Sequence, residues 1–236
     1  VITGGASGFG AGIAERFVAA GARVIIADID TAGAAEQAGS LGSRASWCEM
    51  DVSSESSIAA AIRQLPDTID ILVNNAGIGH SPQPLEEVDE ALFDRLFAVN
   101  MKSVFLTSRA LLPMLEAHRG VILNIASTAG VSPRPGLTWY NASKGWMITA
   151  TRSMAVELAP RGIRVNALNP VAGETPLLAT FLGSDTPERR AQFLATIPLG
   201  RLSTPADIAA AACYLCSNEA SMITGVCLEV DGGRCI

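Results

Sequence analysis

Charge is scarce in this chain, at 17% of its 236 residues, and it leans acidic, with 17 lysines and arginines against 23 aspartates and glutamates. Neutralising a phosphate backbone takes clustered cations. No basic stripe runs anywhere along the sequence, so nucleic acid is excluded as a partner. Histidine occurs twice, as His80 and His118, and the five cysteines (Cys48, Cys213, Cys216, Cys227, Cys235) lack the even count and spacing of a disulfide framework. Cys213 and Cys216 form a C-x-x-C in an alanine-rich stretch with no second pair, which reads as thiols filling small core spaces rather than as metal ligands. No metal site is expected, and free thiols suit a reducing, cytoplasmic compartment. The longest apolar run, Ile208–Cys216, is too short to cross a bilayer, so no membrane span is expected.

Apolar residues, by contrast, supply 49% of the chain. That is enough for a substantial core, and the length suits one domain over residues 1–236. Strand-like runs fall at Val1–Thr3, Arg23–Asp28, Ala45–Met50, Ile69–Asn74, Gly120–Ser127, Arg164–Asn169 and Val226–Val230. Helical patterns lie between them, at Ala11–Ala20, Thr31–Ala38, Ser54–Leu65, Leu92–Glu116, Tyr140–Leu158 and Ala206–Ser217. Most strand runs are continuously apolar, as in strands covered on both faces. The alternation implies right-handed crossovers between parallel strands, hence an α/β fold: a single doubly wound Rossmann-type domain with a seven-stranded parallel sheet flanked by helices. Val1–Thr3 reads as the end of a strand, so further residues are expected upstream of Val1. The rhythm breaks at 171–198, a long segment with Pro176, Pro187 and Pro198, which is read as a lid over a cleft.

Thr3-Gly4-Gly5-Ala6-Ser7-Gly8-Phe9-Gly10 joins the first strand to the first helix. Gly4 permits the tight turn, Gly8 lets backbone approach a pyrophosphate, and Gly10 lets the helix pack close to the sheet. The free N–H groups of that helix start, beside Ser7 and Phe9, suit an anion. Asp28 ends the second strand, 18 residues after Gly10, where a carboxylate accepts from ribose hydroxyls and repels a 2′-phosphate; its alternative reading is a cap for the next helix. No cation follows it, so NAD is expected over NADP. Asp51-Val52 reaches an adenine edge or caps the helix beginning near Ser54, and Asn74-Asn75-Ala76-Gly77 lets a cofactor lie against backbone or simply satisfies a loop. Tyr140 and Lys144 are four residues apart and share a helix face. An ammonium beside a phenol favours phenolate, so a lowered tyrosine pKa is expected, fit for moving a proton on an alcohol or carbonyl oxygen. Ser127, closing the fifth strand, is placed to hydrogen-bond the same oxygen.

Taken in order, Thr3–Gly10, Asn74–Gly77, Ser127 and Tyr140-Asn141-Ala142-Ser143-Lys144 resemble the short-chain dehydrogenase/reductase family, and the resemblance continues to Gly225-Val226 and Asp231-Gly232-Gly233. It implies a sheet in the order 3-2-1-4-5-6-7. It also implies Tyr140 as acid/base, Lys144 on the nicotinamide ribose, and Ser127 on the substrate oxygen. Asn100 would kink the long helix and hold a water linking Lys144 to solvent; read unaided, Asn100 is a mid-helix irregularity. After the sixth strand the family has Pro-Gly and a threonine five residues past the proline. Here Pro170 and Thr175 match while Val171 replaces the glycine and Gly173 comes later, and Thr175 is expected to meet the nicotinamide carboxamide.

The expected activity is NAD(H)-dependent interconversion of a secondary alcohol and a ketone, on a small-molecule substrate. Candidate substrate walls are His80, Thr128, Ala129, Val131, Trp139 and the segment from Leu177 to Leu194, with His80 read as exposed and unengaged and Trp139 as either wall or packing. A 3-oxoacyl-carrier-protein reductase is the rival within the same chemistry; its acidic carrier would need a basic patch, to which Arg134 and Arg161 are the contributors. A non-catalytic dinucleotide-sensing scaffold is the rival of another class, against which the presence of Tyr140 and Lys144 counts. The apolar faces of the two long helices point to a homotetramer, with a dimer as the alternative.

Overall fold

Seven apolar runs form strands: β1 (Ile2–Thr3), β2 (Val24–Asp28), β3 (Ala45–Glu49), β4 (Ile71–Asn74), β5 (Val121–Ile125), β6 (Arg164–Pro170) and β7 (Cys227–Val230). In the computed structural model, which describes residues 1–236, they make one sheet in the order β3-β2-β1-β4-β5-β6-β7. Every neighbouring pair is parallel. Parallel pairing requires each strand to be followed by a crossover. The helices doing this are α1 (Gly8–Ala19), α2 (Thr31–Leu41), α3 (Glu55–Ile62), α4 (Glu90–Leu96), α5 (Ser103–Glu116), α6 (Thr138–Leu158), α7 (Leu178–Leu182), α8 (Pro187–Leu194) and α9 (Pro205–Cys216).

Burial follows position in the sheet. All five residues of β5 are buried, because helices cover both of its faces. One layer packs Ile13 and Phe17 of α1 with Ile208 and Leu215 of α9 against β1 and β5. The other packs Leu111 and Leu115 of α5 with Ala155 and Leu158 of α6 against β4, β5 and β6. The edge strands differ from the expectation of double coverage. Trp47 of β3 is 43% exposed and Leu228 of β7 is 36% exposed, since a sheet edge has helices on fewer sides.

The long helix expected over Leu92–Glu116 is interrupted. Between α4 and α5 the backbone widens into a π-helical turn over Phe97–Lys102, centred on the fully buried Asn100. Such a turn costs regular hydrogen bonding and marks functional positions. The segment 171–198 folds into α7 and α8 and has an apolar core of its own, in which Leu178, Leu182 and Phe193 pack with Val171, Ile197 and Leu202.

The chain leaving β4 meets the glycine turn after β1. Gly10 lies so close to the loop before it that an added Cβ would fall 2.2 Å from the Gly4 carbonyl oxygen and 2.5 Å from Asn75 Nδ2. Backbone on one side and a doubly hydrogen-bonded amide on the other leave no easy relaxation. We predict that Gly10→Ala lowers stability by about 1–3 kcal/mol, the usual cost of overpacking. Urea unfolding checks this, and an unchanged midpoint would contradict the packing described.

Candidate active site

The carboxyl ends of the strands open into one cleft of about 510 Å³. It lies where the strand order reverses between β1 and β4, the place where open α/β sheets bind ligands. One end is built by the glycine turn. Gly4 and Gly8 have φ of +63° and +56°, a region that L side chains avoid. A Cβ on Gly4 would approach Ala76 Cα to 2.8 Å. Ser7 begins α1 without a side-chain cap, so the first N–H groups of that helix are left for an anion lying along the turn. Phe9 supports the opposite wall, its ring filling the space over Gly173.

Asp28 lines this end of the cleft. Its Oδ2 accepts from Ala6 N at 3.0 Å and its Oδ1 from Asp30 N at 3.0 Å, which fixes the carboxylate rather than capping α2. That cap is Asp30, which accepts from Gly33 N. Asp51 and Val52 continue the same wall. Asp51 Oδ1 accepts from the backbone and hydroxyl of Ser53, while the cap of α3 is Ser54.

The Asn74–Gly77 loop divides in its roles. Ala76 and Gly77 line the cleft. Asn74 does not: its side chain turns into the sheet, where Nδ2 donates to Asn124 Oδ1 at 2.9 Å and Oδ1 accepts from Thr107 at 2.7 Å. A strand alternates its side chains, so the residue after Asn74 reaches the other way. Asn75 Nδ2 donates to the carbonyls of Thr3 and Gly4 at 2.9 and 2.8 Å, clamping the glycine turn. No pattern in the sequence separated these two asparagines beyond that alternation.

At the far end stand Ser127, Tyr140 and Lys144, all on the cleft wall. Tyr140 and Lys144 are only 7% and 5% exposed. Lys144 Nζ donates to the Ile125 carbonyl at 2.9 Å and lies 5.9 Å from the Tyr140 ring centre. Burial disfavours both charged forms, lowering Lys144 to about 8 and pushing Tyr140 up to about 12. The neighbouring Ser127 hydroxyl and the charge of Arg134 favour the phenolate without overcoming burial. The expectation that Lys144 alone would lower the tyrosine is therefore corrected for the unliganded protein. Its ammonium is desolvated and engaged by Ile125.

Asn100 lies behind the cleft rather than on it. Its Oδ1 accepts from Ile78 N, and its Nδ2 donates to Ile78 O, both at 2.9 Å, and to Ser143 Oγ at 3.1 Å. Ser143 in turn donates to Tyr140 O at 2.7 Å. The π-helical turn thus ties the loop after Gly77 to the helix carrying the phenol. Gly10, also off the cleft wall, acts through packing alone. Pro170 and Thr175 line the cleft, and Gly173 closes their loop through a bridge to Ser203. Val171, after Pro170, is buried with Leu178 and Leu182, while the close approach to Phe9 is made by Gly173.

Of the expected substrate walls, Thr128, Ala129, Leu177, Phe181 and Phe193 line the cleft. Trp139 packs edge-on against Phe93, with ring centres 5.4 Å apart. Val131 is outside it, on the exterior. His80 is neither exposed nor unengaged: it is 5% exposed, with Nδ1 at 2.9 Å from the Ser81 carbonyl. Arg234 lines the cleft as well; its place near the end of the chain, far beyond the helix of Tyr140, gave the sequence no signal to bring it there.

Lys144 supplies a pH test. In the unfolded chain a lysine loses its proton near its ordinary value of about 10.4. Between about 8 and that value the unfolded state holds a proton the folded state lacks, so stability rises with pH across this window, and the penalty is constant below it. Urea unfolding at about pH 7.5 and about pH 9.5 should show wild type gaining on Lys144→Met as pH rises. Parallel curves would contradict the desolvated lysine.

The family profile described as Enoyl-(Acyl carrier protein) reductase matches residues 4–234. The chain is 49% identical to 4-formylbenzenesulfonate dehydrogenase of Comamonas testosteroni, over 99% of this chain and 96% of that protein. It is 42% identical to 2-(S)-hydroxypropyl-CoM dehydrogenase 3 of Xanthobacter autotrophicus, over 98% and 94%. Among solved structures, a 3-ketoacyl-(acyl-carrier-protein) reductase from Brucella melitensis complexed with NADH superposes with a TM-score of 0.95 at 51% identity, covering 100% of this chain and 97% of that one. With the strand order, the glycine turn and the buried Tyr140–Lys144 pair, these likenesses establish that the chain belongs to the short-chain dehydrogenase/reductase family and is an oxidoreductase acting on CH–OH groups.

Proposed function

We propose that the chain interconverts a secondary alcohol and a ketone with NAD(H) as cofactor. The observation that carries this reading is one continuous cleft, with Gly8 and Asp28 at one end and Ser127 and Tyr140 at the other. The cleft fits a dinucleotide. Gly4, Ser7, Gly8 and Phe9 would hold the pyrophosphate, Asp28 the adenosine ribose, and Asp51 with Val52 the adenine edge. Ala76, Gly77, Pro170 and Thr175 would face the nicotinamide half, with Lys144 on its ribose. NAD(H) supplies or accepts the hydride when bound.

The rest of the chemistry falls to the side chains. Ser127 holds the substrate oxygen by a hydrogen bond. Tyr140 takes the hydroxyl proton of an alcohol, or gives a proton to a ketone oxygen in reverse. Positive charge beside the phenol counters the burial that otherwise keeps it neutral. Asn100 is a positioning residue, since it reaches Tyr140 only through Ser143; the water relay to Lys144 belongs to the same proposal.

Asp28 sets the cofactor preference. A 2′-phosphate beside this carboxylate meets repulsion of roughly 1 kcal/mol per charge pair in water and about 4 at an effective dielectric of 20. The carrier-protein reading finds less support, although the Brucella structure bears that title. Arg161 is already paired with Glu116 at 2.7 Å, and Arg134 lines the cleft instead of its rim, so the two form no docking patch.

No helix is long and apolar enough to cross a membrane. A cytoplasmic location suits the five free cysteines. Self-association as a homotetramer, or a dimer, suits the exposed Phe97 and Phe105 on the π turn and α5, and Val156 on α6.

Two measurements test the activity. Tyr140→Phe should lower turnover of a responsive alcohol by roughly 10²–10⁴-fold while NADH still binds, as read by its fluorescence; undiminished turnover would remove the acid/base assignment. Wild type assayed with a panel of alcohols and ketones should favour NAD, and Asp28→Ala should gain kcat/KM with NADP. A wild type that prefers NADP would refute the cofactor assignment.

A further inference from the structure

Two arginines stand at the substrate end of the cleft, Arg134 and Arg234. Four other arginines have carboxylate partners within 4.0 Å: Arg109, Arg161, Arg190 and Arg201. Neither cleft arginine has one, which they share with most of the fifteen arginines; their place on the cleft wall sets these two apart. Both are half-buried. A guanidinium taken partly out of water without a counter-ion is unfavourable, and placing two near each other adds repulsion.

Arg134 is held in place from several sides. Its guanidinium carbon lies 4.8 Å from the centre of the Phe193 ring, and its Nη2 donates to the Phe181 carbonyl at 3.4 Å. The Phe181 ring itself rests on Tyr140, with centres 4.9 Å apart. Asn141 Nδ2 donates to the Arg134 carbonyl at 2.8 Å, fixing the loop backbone to the start of α6. The remaining N–H groups of Arg134 have no protein acceptor. Arg234 follows β7, and its side chain makes no hydrogen bond within the protein. Burial and the charge of Arg234 both lower the pKa of Arg134, while Tyr140 raises it. All three groups therefore share one neighbourhood. That neighbourhood is the phenol end, and the pyrophosphate end at Gly4 and Gly8 is the opposite one.

We propose that Arg134 and Arg234 form an anion subsite, and that the substrate carries a carboxylate or sulfonate at the end away from its reacting CH–OH carbon. An oxo-acid group there would accept from the free donors of both guanidiniums, replacing the counter-ion the fold does not provide. The apolar walls between, from Leu137, Phe181 and Phe193, would enclose a ring or short chain joining the anion to the carbinol. This deepens the proposed alcohol–ketone reading and rests on it for the reacting end alone.

Binding and turnover separate the two. The probes are 4-acetylbenzoate and acetophenone, which share the ketone and ring and differ in the carboxylate. Each is titrated by calorimetry into the NADH-loaded protein, and each is assayed for reduction with NADH. The acid should bind roughly 10- to 100-fold more tightly than the neutral ketone, the range of one or two charge-assisted hydrogen bonds. In Arg134→Gln and in Arg234→Gln that ratio should fall toward one. Arg134 is packed on Phe193, so its loss can disturb the wall; Arg234 has no such contact, and its variant keeps the test clear. Equal affinity of the two probes in wild type, or a ratio that survives both substitutions, overturns the anion subsite. Preferential binding of the acid without reduction of either ketone would leave the subsite standing and count against the reaction instead.

Discussion

Burying an ammonium and a phenol together at the carboxyl edge of a parallel sheet is the constraint around which this fold is arranged. Lys144 and Tyr140 lose water there, and each charged form is disfavoured. The sheet supplies one partner directly, because β5 stops at Ile125 and leaves that carbonyl free to receive Lys144. Everything else depends on α6 being set at the correct height. That is done by a polar relay from Tyr140 O through Ser143 and Asn100 to the backbone of Ile78. A few residues upstream, Asn75 fastens the same loop to Thr3 and Gly4. The phenol and the glycine turn lie at opposite ends of the cleft, yet one run of hydrogen bonds holds both.

The same account explains how much of the site was legible. Gly4, Gly8, Asp28, Ser127, Tyr140 and Lys144 could be read because a strand end, a helix start and an i,i+4 spacing each carry chemical meaning locally. The alternation implied parallel strands, and the strand order came from the family resemblance alone. What escaped was geometry set by alternation or by distant chain. Asn74 and Asn75 are identical in type and adjacent, and only the side-chain period of a strand decides which one faces the turn. A kink at Asn100 was expected from the family resemblance, but its hydrogen bonds to the backbone of Ile78, 22 residues away, leave no local signal. Arg134 was visible as a charge, but its place inside the cleft is fixed by Phe181 and Phe193 from the 171–198 segment. His80 looked free because a histidine in a polar loop usually is, while here the loop folds over it.

Charge is distributed to match. The chain is acidic overall, and the cations on the cleft wall, Arg134, Lys144 and Arg234, have no carboxylate partner within 4.0 Å. At the other end two carboxylates, Asp28 and Asp51, line the wall. The cleft thus carries carboxylates at the end of the glycine turn and arginines at the end of Tyr140.

The central claim is that burial holds the Tyr140 phenol neutral until positive charge joins it in the cleft. The chain has two tyrosines, Tyr140 and Tyr214, so Tyr214→Phe leaves one phenol to follow. Ultraviolet difference absorbance of that variant against pH reports its ionisation directly. The account predicts a phenol pushed up to about 12 in the free protein, and moved to lower pH by saturating NAD. Ionisation near the ordinary value of about 10 in the free protein, unmoved by NAD, would contradict it.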